Sequence, residues 1–456
     1  MFSRKVLGLT TFAFAFAALM APGTAHASKA RSEALHVPSQ YTVDRVNVQF
    51  FPTSLYRNQN MIFGELGVWD EATGSDFNDP ESPSELEDAD RSLGMYMGNL
   101  WEGRAGVFGF ELNENGGALS PTHGSEFVNR NLNEAIAVYW AQQFGKSTFG
   151  LKFDRMYSKF EDKTVGNEGS IAPYDWFGTF LPFLGGSDSW ELFTEAASAF
   201  GSSPMNSIGF GAGLSFENQG SSGNTRMFEF SAEARKYTFK LEDVPSLQTL
   251  ENDNSMSFAA NARGMLQANQ SLTWVPYVGF ASTDLGWAFT DGNTPANNTS
   301  ADNKMTNFEG GVAGNWTLRQ NDMLVAGAAF KTSKIEWKDA SADTVTIKYT
   351  QPVCLFAGFE GNMFSWMTIR FGASKPIFAD FKIEDPNGNT SFGATDESQV
   401  KDSPFNFNIG TGFHFGNVTV DAVLNQDYAF SGGPLAASGD DGTIYPFSRL
   451  SVTYRY

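Results

Sequence analysis

Apolar and polar residues alternate along most of the chain in segments of about ten residues. In one such segment Phe405, Phe407 and Ile409 lie on one face, and Asn406 and Asn408 lie on the other. Because successive side chains of a β-strand point to opposite faces, a period of two predicts strands with one apolar face and one polar face. The repeated pattern therefore predicts an all-β protein.

The connections between these segments alternate in length. Short connections are expected at Glu102-Gly103, Gly145-Lys146, 218–224, Asn269-Gln270, Gln320-Asn321, Gly361-Asn362 and Gly416-Asn417. Long polar stretches separate them at 70–92, 113–130, 159–205, 241–253, 290–304, 339–344, 379–402 and 431–445. Seven short and eight long connections give about sixteen strands, with both termini at the short-turn end.

Short turns at one end and long loops at the other are the layout of a transmembrane antiparallel β-barrel, with periplasmic turns and extracellular loops. A soluble β-sandwich also alternates, but it buries its apolar face in a two-layer core and rarely needs this many long strands. The C-terminal residues Leu450, Val452, Tyr454 and Tyr456 alternate and end on an aromatic residue. This end resembles the C-terminal strand of bacterial outer-membrane proteins.

The N-terminus has the three parts of a secretory signal peptide. Arg4 and Lys5 are basic, 6–20 is uncharged and apolar, and 25–27 is a small-x-small cleavage site. A membrane anchor is the alternative, but the apolar run is short for a helix that spans a membrane. We therefore expect residues 1–27 to be a signal peptide and the mature chain to begin near Ser28.

Two segments near the start of the mature chain alternate. The segment 61–69 fits as the first strand, which gives a barrel over residues 61–456. The earlier segment 43–51 also alternates, and we interpret residues 28–60 as a periplasmic lead or a plug.

The composition narrows the class of protein. The chain has 456 residues, a formal net charge of -20, 43 Phe and one Cys. Its aromatic content excludes an acidic disordered chain, and the single Cys excludes a disulfide framework. The acidic charge argues against binding to nucleic acid, and a mean hydropathy of -0.27 excludes a bundle of transmembrane helices. None of these figures excludes a barrel.

The longest connection, 159–205, contains an apolar run at 176–184 and a candidate short helix at 190–197. A long loop with apolar anchors should pack on a surface, and the interior of a wide barrel is the nearest one. Here the chain resembles the general diffusion porins, whose third external loop folds inward to narrow a sixteen-stranded pore. The alternative is an external loop that caps the barrel. The resemblance implies these constriction residues: Asp175, Asp188, Glu191 and Glu195.

The polar strand faces supply candidate lumen residues. Acids on the loop opposite basic residues on the wall would create a transverse field and a mild preference for cations. The alternative is that these charges only solvate a water-filled lumen. The predicted wall residues are Glu229, Glu233, Arg235, Arg263, Arg319 and Arg370.

Three functions remain open. The first is an outer-membrane porin for passive diffusion of small hydrophilic solutes. Such a barrel would contact outer-membrane lipid and lipopolysaccharide. The resemblance to porins also makes a homotrimer possible. The second is a hydrophobic-substrate channel similar to the long-chain fatty-acid transporters, which have fourteen strands and an N-terminal plug. The third is a structural or adhesive barrel. No catalytic constellation can be assembled from the three His residues that follow the signal peptide, so we expect no enzyme, metal or cofactor.

Overall fold

The computed structural model describes the N-terminal segment 28–60 and the strands that follow it. No helix among the described residues is long and apolar enough to cross a membrane. The predicted signal peptide, residues 1–27, lies outside the described residues. The described ranges are 28–68, 89–98, 105–114, 134–161, 202–219, 224–243, 248–291, 299–319, 322–338, 344–384, 398–399, 405–424 and 447–456.

Sixteen strands of seven residues or more make up one antiparallel sheet within these ranges. A two-residue strand, Ser398–Gln399, pairs beside the thirteenth strand. The sixteen are β1 (Met61–Val68), β2 (Ala89–Met97), β3 (Val107–Glu114), β4 (Glu134–Phe144), β5 (Ser147–Glu161), β6 (Ser202–Gln219), β7 (Thr225–Asp243), β8 (Gln248–Asn269), β9 (Leu272–Asp291), β10 (Thr299–Arg319), β11 (Asp322–Lys338), β12 (Thr344–Phe364), β13 (Met367–Glu384), β14 (Asn406–Phe415), β15 (Val418–Leu424) and β16 (Phe447–Arg455).

The sheet closes on itself. Strand β1 pairs with β2 on one side and with β16 on the other, with Gly64 opposite both Leu93 and Val452. Each of the sixteen strands therefore has two antiparallel neighbours, so no long edge is left unpaired. The prediction of an all-β antiparallel barrel of about sixteen strands is confirmed.

Tight turns join several strands at the end where the C-terminus lies. Gly145 and Gly416 both adopt a φ of +62°, the left-handed region that a two-residue hairpin requires and that glycine reaches without strain. The short connection predicted near Gly361-Asn362 lies a few residues later, between Phe364 and Met367, because β12 continues to Phe364. Asn362 instead pairs with Thr368 of β13, whose hydroxyl donates to its side chain at 2.7 Å.

Two of the expected long loops are shorter than predicted. Strand β7 ends at Asp243 and β8 begins at Gln248, while β9 ends at Asp291 and β10 begins at Thr299. Polar and charged residues such as Glu251 and Lys304 led us to assign these stretches to loops. They are instead ladder residues of long strands, opposite Lys240 and Asp284.

The outer surface of the barrel is an apolar belt. The residues predicted to face lipid are exposed on this surface, except Phe407, which is half-buried, while its neighbour Asn408 is buried on the inner face. The structure therefore has the predicted register in these strands, since a shift of one residue would exchange the two faces. The exposed predicted residues are Phe228, Phe230, Phe405, Val452 and Tyr454.

The N-terminal segment 28–60 is folded into short helical pieces. Helix α1 (Lys29–Leu35) has Ser28 as its N-cap, whose hydroxyl accepts from the Arg31 N–H. A 3-10 turn (Ser39–Tyr41), helix α2 (Asn47–Phe50) and a 3-10 helix (Pro52–Arg57) follow. The alternating stretch 43–51 thus contains a helical turn and is no barrel strand.

Candidate functional site

The N-terminal segment lies against the inner faces of the barrel strands. Helix α1 packs on β12 to β16, and the 3-10 helix Pro52–Arg57 packs on β3 to β6. Wall glycines make this approach possible: a methyl group on Gly372 would overlap the carbonyl of Leu35, and one on Gly410 would overlap Ala34. The segment therefore occupies a section of the lumen, and we call it the plug.

Arg31 of the plug joins the first buried ion cluster. Its Nε lies 2.5 Å from Oε2 of Glu360 on β12, and its guanidinium also pairs with Asp44 of the plug. Glu360 accepts from Nε of Arg370 on β13 at 2.6 Å, and Arg370 reaches Asp421 on β15 at 2.7 Å. All five side chains are almost fully buried. Burial lowers the pKa of Arg31, but the adjacent Glu360 and Asp44 outweigh it and hold that pKa above its ordinary value.

Arg45 joins a second cluster, with wall residues of β1 and β3. Its guanidinium pairs with Glu65 of β1, lies 3.5 Å from Glu111 of β3, and stands 3.6 Å over the ring of Phe63. The Tyr96 hydroxyl donates to Glu111. One plug cation therefore bridges two wall carboxylates, and an aromatic face adds to its stabilisation.

The third cluster centres on Glu229 of β7. Arg57 of the plug and Arg263 of β8 both contact this carboxylate at 2.6 Å. Arg263 also donates to the Asn47 side chain at 2.7 Å and to two plug carbonyl oxygens. Its guanidinium lies 4.5 Å from the Phe51 ring. The plug is thus tied to three separated parts of the wall through Arg31, Arg45 and Arg57.

A fourth cluster is formed by wall residues alone. Lys152 of β5 donates to Glu233 of β7 at 2.8 Å, and Arg235 contacts Asp154 at 2.6 Å and Glu233 at 2.8 Å. Buried cations and anions at these distances compensate one another, whereas removal of one partner would leave an uncompensated charge. The inner wall is therefore a fixed lattice of paired charges.

The structure brings together most of the predicted wall residues. Glu229, Glu233, Arg235, Arg263 and Arg370 are buried on the inside of the barrel. Arg319 is not among them: it ends β10 with its side chain 86% exposed, 4.0 Å from Asp322 at the start of β11. The constriction candidates lie outside the described residues; they are Asp175, Asp188, Glu191 and Glu195.

Several lumen residues were missed by sequence reasoning. Glu65, Glu111 and Glu360 alternate with apolar neighbours in their strands, so the period of two could have placed them inside. The plug arginines Arg31 and Arg45 had no local signal. Their roles depend on contacts with residues far away along the chain, which no local pattern encodes.

A cavity of about 420 Å³ lies between the plug and the wall. Val37, Pro38 and Val46 of the plug and Phe356 of β12 supply its apolar lining. Its polar lining includes Glu33 and Arg449, whose Oε2 and Nε are 2.5 Å apart, and Lys29, Ser32 and His36.

His36 stands at the edge of this cavity, where burial favours its neutral form. Its Nδ1 lies 3.0 Å from the side-chain nitrogen of Asn408, which also donates to the Glu33 carbonyl oxygen at 2.7 Å. Burial lowers the pKa of His36, and the nearby Glu33 only partly opposes this. A neutral Nδ1 that accepts from the Asn408 amide agrees with this direction.

The closed sheet and its apolar exterior decide where the protein resides. A closed barrel satisfies every strand backbone without water, and an outward apolar belt with a polar interior is the surface that a bilayer requires. The protein is a bacterial outer-membrane β-barrel. No family model matches the sequence, and no curated protein matches it.

Solved structures of other outer-membrane barrels are similar to this barrel in outline. A FadL homologue from Pseudomonas aeruginosa is 13% identical, with 95% of this chain and 100% of that chain covered and a TM-score of 0.40. The Pseudomonas putida toluene transporter TodX is 9% identical, with 95% and 97% covered and a TM-score of 0.38. CdiB from Acinetobacter baumannii is 8% identical, with 87% and 60% covered and a TM-score of 0.38. Similarity at this level carries no information about function.

Proposed function

We propose that the barrel is a plugged channel for small apolar or amphipathic molecules. The observation that carries this proposal is the plug itself, which is tied to β1, β3, β7 and β12 through Arg31, Arg45 and Arg57. A sixteen-stranded barrel without such a segment leaves an aqueous channel through its centre. A plug fixed by buried charges obstructs that path for hydrated solutes.

The cavity beside the plug supports the substrate class. Its volume of about 420 Å³ falls within the range of about 300–1,000 Å³ that small-molecule sites occupy. Val37, Val46 and Phe356 offer an apolar wall, and Arg449 lies among the polar residues of the same cavity. Such a lining suits a molecule with an apolar body and a small polar end.

Passive diffusion of hydrophilic solutes is the second candidate, because sixteen strands give the circumference of a general diffusion porin. In that case Glu191 and Glu195 of the long connection would be expected to confer a mild preference for cations. Swelling of protein-containing vesicles in isotonic sugar at the rate of an open porin would favour this candidate.

Binding of a labelled medium-chain amphiphile to the barrel in lipid nanodiscs tests the main proposal. We expect Val46→Asp, which places a charge in the cavity lining, to weaken binding roughly tenfold, or about 1.4 kcal/mol. Val43→Asp is the matched control, because Val43 belongs to the same segment but is 53% exposed. Equal binding by wild type and Val46→Asp, or no binding by wild type, would contradict the proposal.

A further inference from the structure

The upper edge of the apolar belt carries two basic residues on β5 and β7. Along the outer face of β5, the exposed Phe153 is followed by the exposed Arg155. Along β7, Phe230 and the exposed Ala234 are followed by the exposed Lys236. Both strands therefore change from apolar to basic residues in the direction of the long loops.

The cross-strand neighbours of both cations are apolar. Arg155 lies opposite Ile136 of β4 and Ile208 of β6, and Lys236 lies opposite Ile208 and Met256 of β8. One strand separates the two cations, and neighbouring strands are about 4.8 Å apart, so their backbones lie roughly 10 Å apart. Ile208 stands between them.

Neither cation contacts a carboxylate in the part of the chain that the structure describes. The Nε of Arg155 donates to the Asn206 side-chain oxygen at 3.0 Å, and its guanidinium lies 5.6 Å from the Tyr157 ring. Above Lys236 the outer face continues with Thr238, whose hydroxyl donates to the Asn206 carbonyl oxygen at 3.3 Å. The neighbours that the structure describes around the two cations are thus neutral, in a protein with a net charge of -20.

Two basic residues on the outer face of β10 and β11 lie beside carboxylates. Lys304 lies directly opposite Asp284 on β9 and Glu336 on β11. Lys334 is paired with Glu336. Arg155 and Lys236 differ from these two residues because they are left to an external anion.

The position of these cations along their strands corresponds to the membrane surface. Arg155 is eight residues beyond Ser147, the first residue of β5, and strands rise about 3.3 Å per residue. With a tilt of about 40°, Arg155 stands roughly 20 Å above the periplasmic turn, near the upper limit of an apolar band about 25 Å tall. At that height the surrounding anions are phosphate groups of the outer leaflet.

We propose that Arg155 and Lys236 form a docking site for the phosphate groups of an outer-leaflet glycolipid, the lipopolysaccharide of the outer membrane. Arg155 and Lys236 contact phosphate oxygens, Asn206 and Thr238 add hydrogen-bonding groups, and the acyl chains lie on Phe153, Ile208 and Phe210 below. An arginine and a lysine at this spacing are suited to bind phosphate groups. The guanidinium of arginine makes bidentate hydrogen bonds with phosphate oxygens, and the ammonium of lysine attracts the phosphate as a compact positive charge.

Retention of purified lipopolysaccharide by the full chain, followed by native mass spectrometry, tests this site. Wild type should retain the phosphorylated glycolipid, and an enzymatically dephosphorylated sample of the same glycolipid should be retained several-fold less. Arg155→Gln/Lys236→Gln should lose the preference for phosphate, and each single variant should weaken it. Lys334→Gln is the control, because it removes a cation of the upper outer face that Glu336 already compensates.

Three outcomes would overturn the proposal. The first is equal retention of phosphorylated and dephosphorylated glycolipid by wild type, a comparison that needs no variant to fold. The second is a double variant with unchanged retention whose folding is shown by its gel mobility without heating. Retention lost equally in Lys334→Gln would also contradict it, since it would assign the effect to general surface charge.

Discussion

The barrel has a sector of short strands and a sector of long strands, and the two use the alternation of residues differently. In the short-strand sector, β14 to β16 and β1 to β3, strands have 7 to 10 described residues. In the long-strand sector, β6 to β13, they have 17 to 22. Because about 9–11 tilted residues cross a bilayer, the long strands continue beyond the membrane.

The two sectors differ in chemistry. The short-strand sector places Glu65, Glu111 and Asp421 inside, where they meet plug residues and wall arginines. The upper part of the long-strand sector, toward the long loops, carries polar residues such as Lys334 and Glu336 on its outer face. The same alternation of side chains therefore meets two different surroundings. Near the short turns the outer face contacts lipid, and near the long loops it contacts water.

The largest expected effect comes from a carboxylate of the short-strand sector. Glu65→Gln leaves Arg45 buried with an incompletely compensated charge, so we expect a loss of about 3–5 kcal/mol in the free energy of unfolding. The matched change in the long-strand sector is Glu336→Gln, where the partner Lys334 is exposed, and the loss should be about 0–1 kcal/mol. Urea unfolding of both variants in lipid vesicles measures the difference, and equal losses would remove the distinction between the sectors.

A smaller effect tests where lipid ends along a single long strand. Val312 of β10 is exposed in the middle of the apolar belt, so Val312→Lys should cost about 2–4 kcal/mol. Thr306, six residues nearer the long loops on the same outer face, should accept Lys at a cost of about 0–1 kcal/mol. The same unfolding assay applies, and a large loss for Thr306→Lys would mean that lipid covers the upper strand.

A third effect tests the close approach of the plug to the wall. Gly372→Ala puts a methyl group into the Leu35 carbonyl, so α1 must shift, at an expected cost of about 1–3 kcal/mol. Gly211→Ala is the control, because the nearest atom to its added methyl would be 3.5 Å away. Faster hydrogen exchange in α1 should accompany only Gly372→Ala; unchanged exchange there would show that α1 does not rest on β13.

The smallest effect is a dependence on pH near the cavity. Because burial lowers the pKa of His36 in the folded protein, the unfolded chain takes up this proton first as the pH falls. The stabilisation of α1 by neutral His36 is therefore complete when the pH is above the ordinary histidine pKa of 6.5, and it is lost progressively as the pH falls below that value. After correction for the slower intrinsic exchange at low pH, the protection of α1 amides should fall a few-fold at pH 5 relative to pH 7, and His36→Gln should abolish that fall. An equal fall in His36→Gln would assign it to another group.

The strands could be predicted from the sequence because alternation is a local property. Pairs such as Phe407 and Asn408 identify the two faces without knowledge of any partner strand. Turn positions depend on weaker signals, so the connection predicted near Gly361-Asn362 lies instead after Phe364, where β12 ends.

The sequence allowed residues 28–60 to be interpreted as a lead or a plug, but their contacts with the wall could not be predicted in the same way. Arg31 meets Glu360 across 329 positions of the chain, and its helix has no apolar stripe long enough to indicate what it packs on. The prediction for Arg319 failed for a different reason. The alternation of its strand assigns Arg319 to the inner face, but it lies at the end of β10, where the barrel no longer covers its side chain. Contacts between distant segments, and the level at which the lumen ends, are properties of the assembled barrel.

Ion conductance in planar bilayers tests the central claim that residues 28–60 obstruct the lumen. Intact protein should conduct weakly, and a variant lacking residues 28–60 should conduct at least roughly tenfold more, because a sixteen-stranded wall alone encloses an aqueous channel. Arg31→Gln/Arg45→Gln should lie between them, since it removes two of the three ties to the wall. Equal, high conductance by the intact protein and the variant without residues 28–60 would contradict the account and show that the plug does not close the barrel.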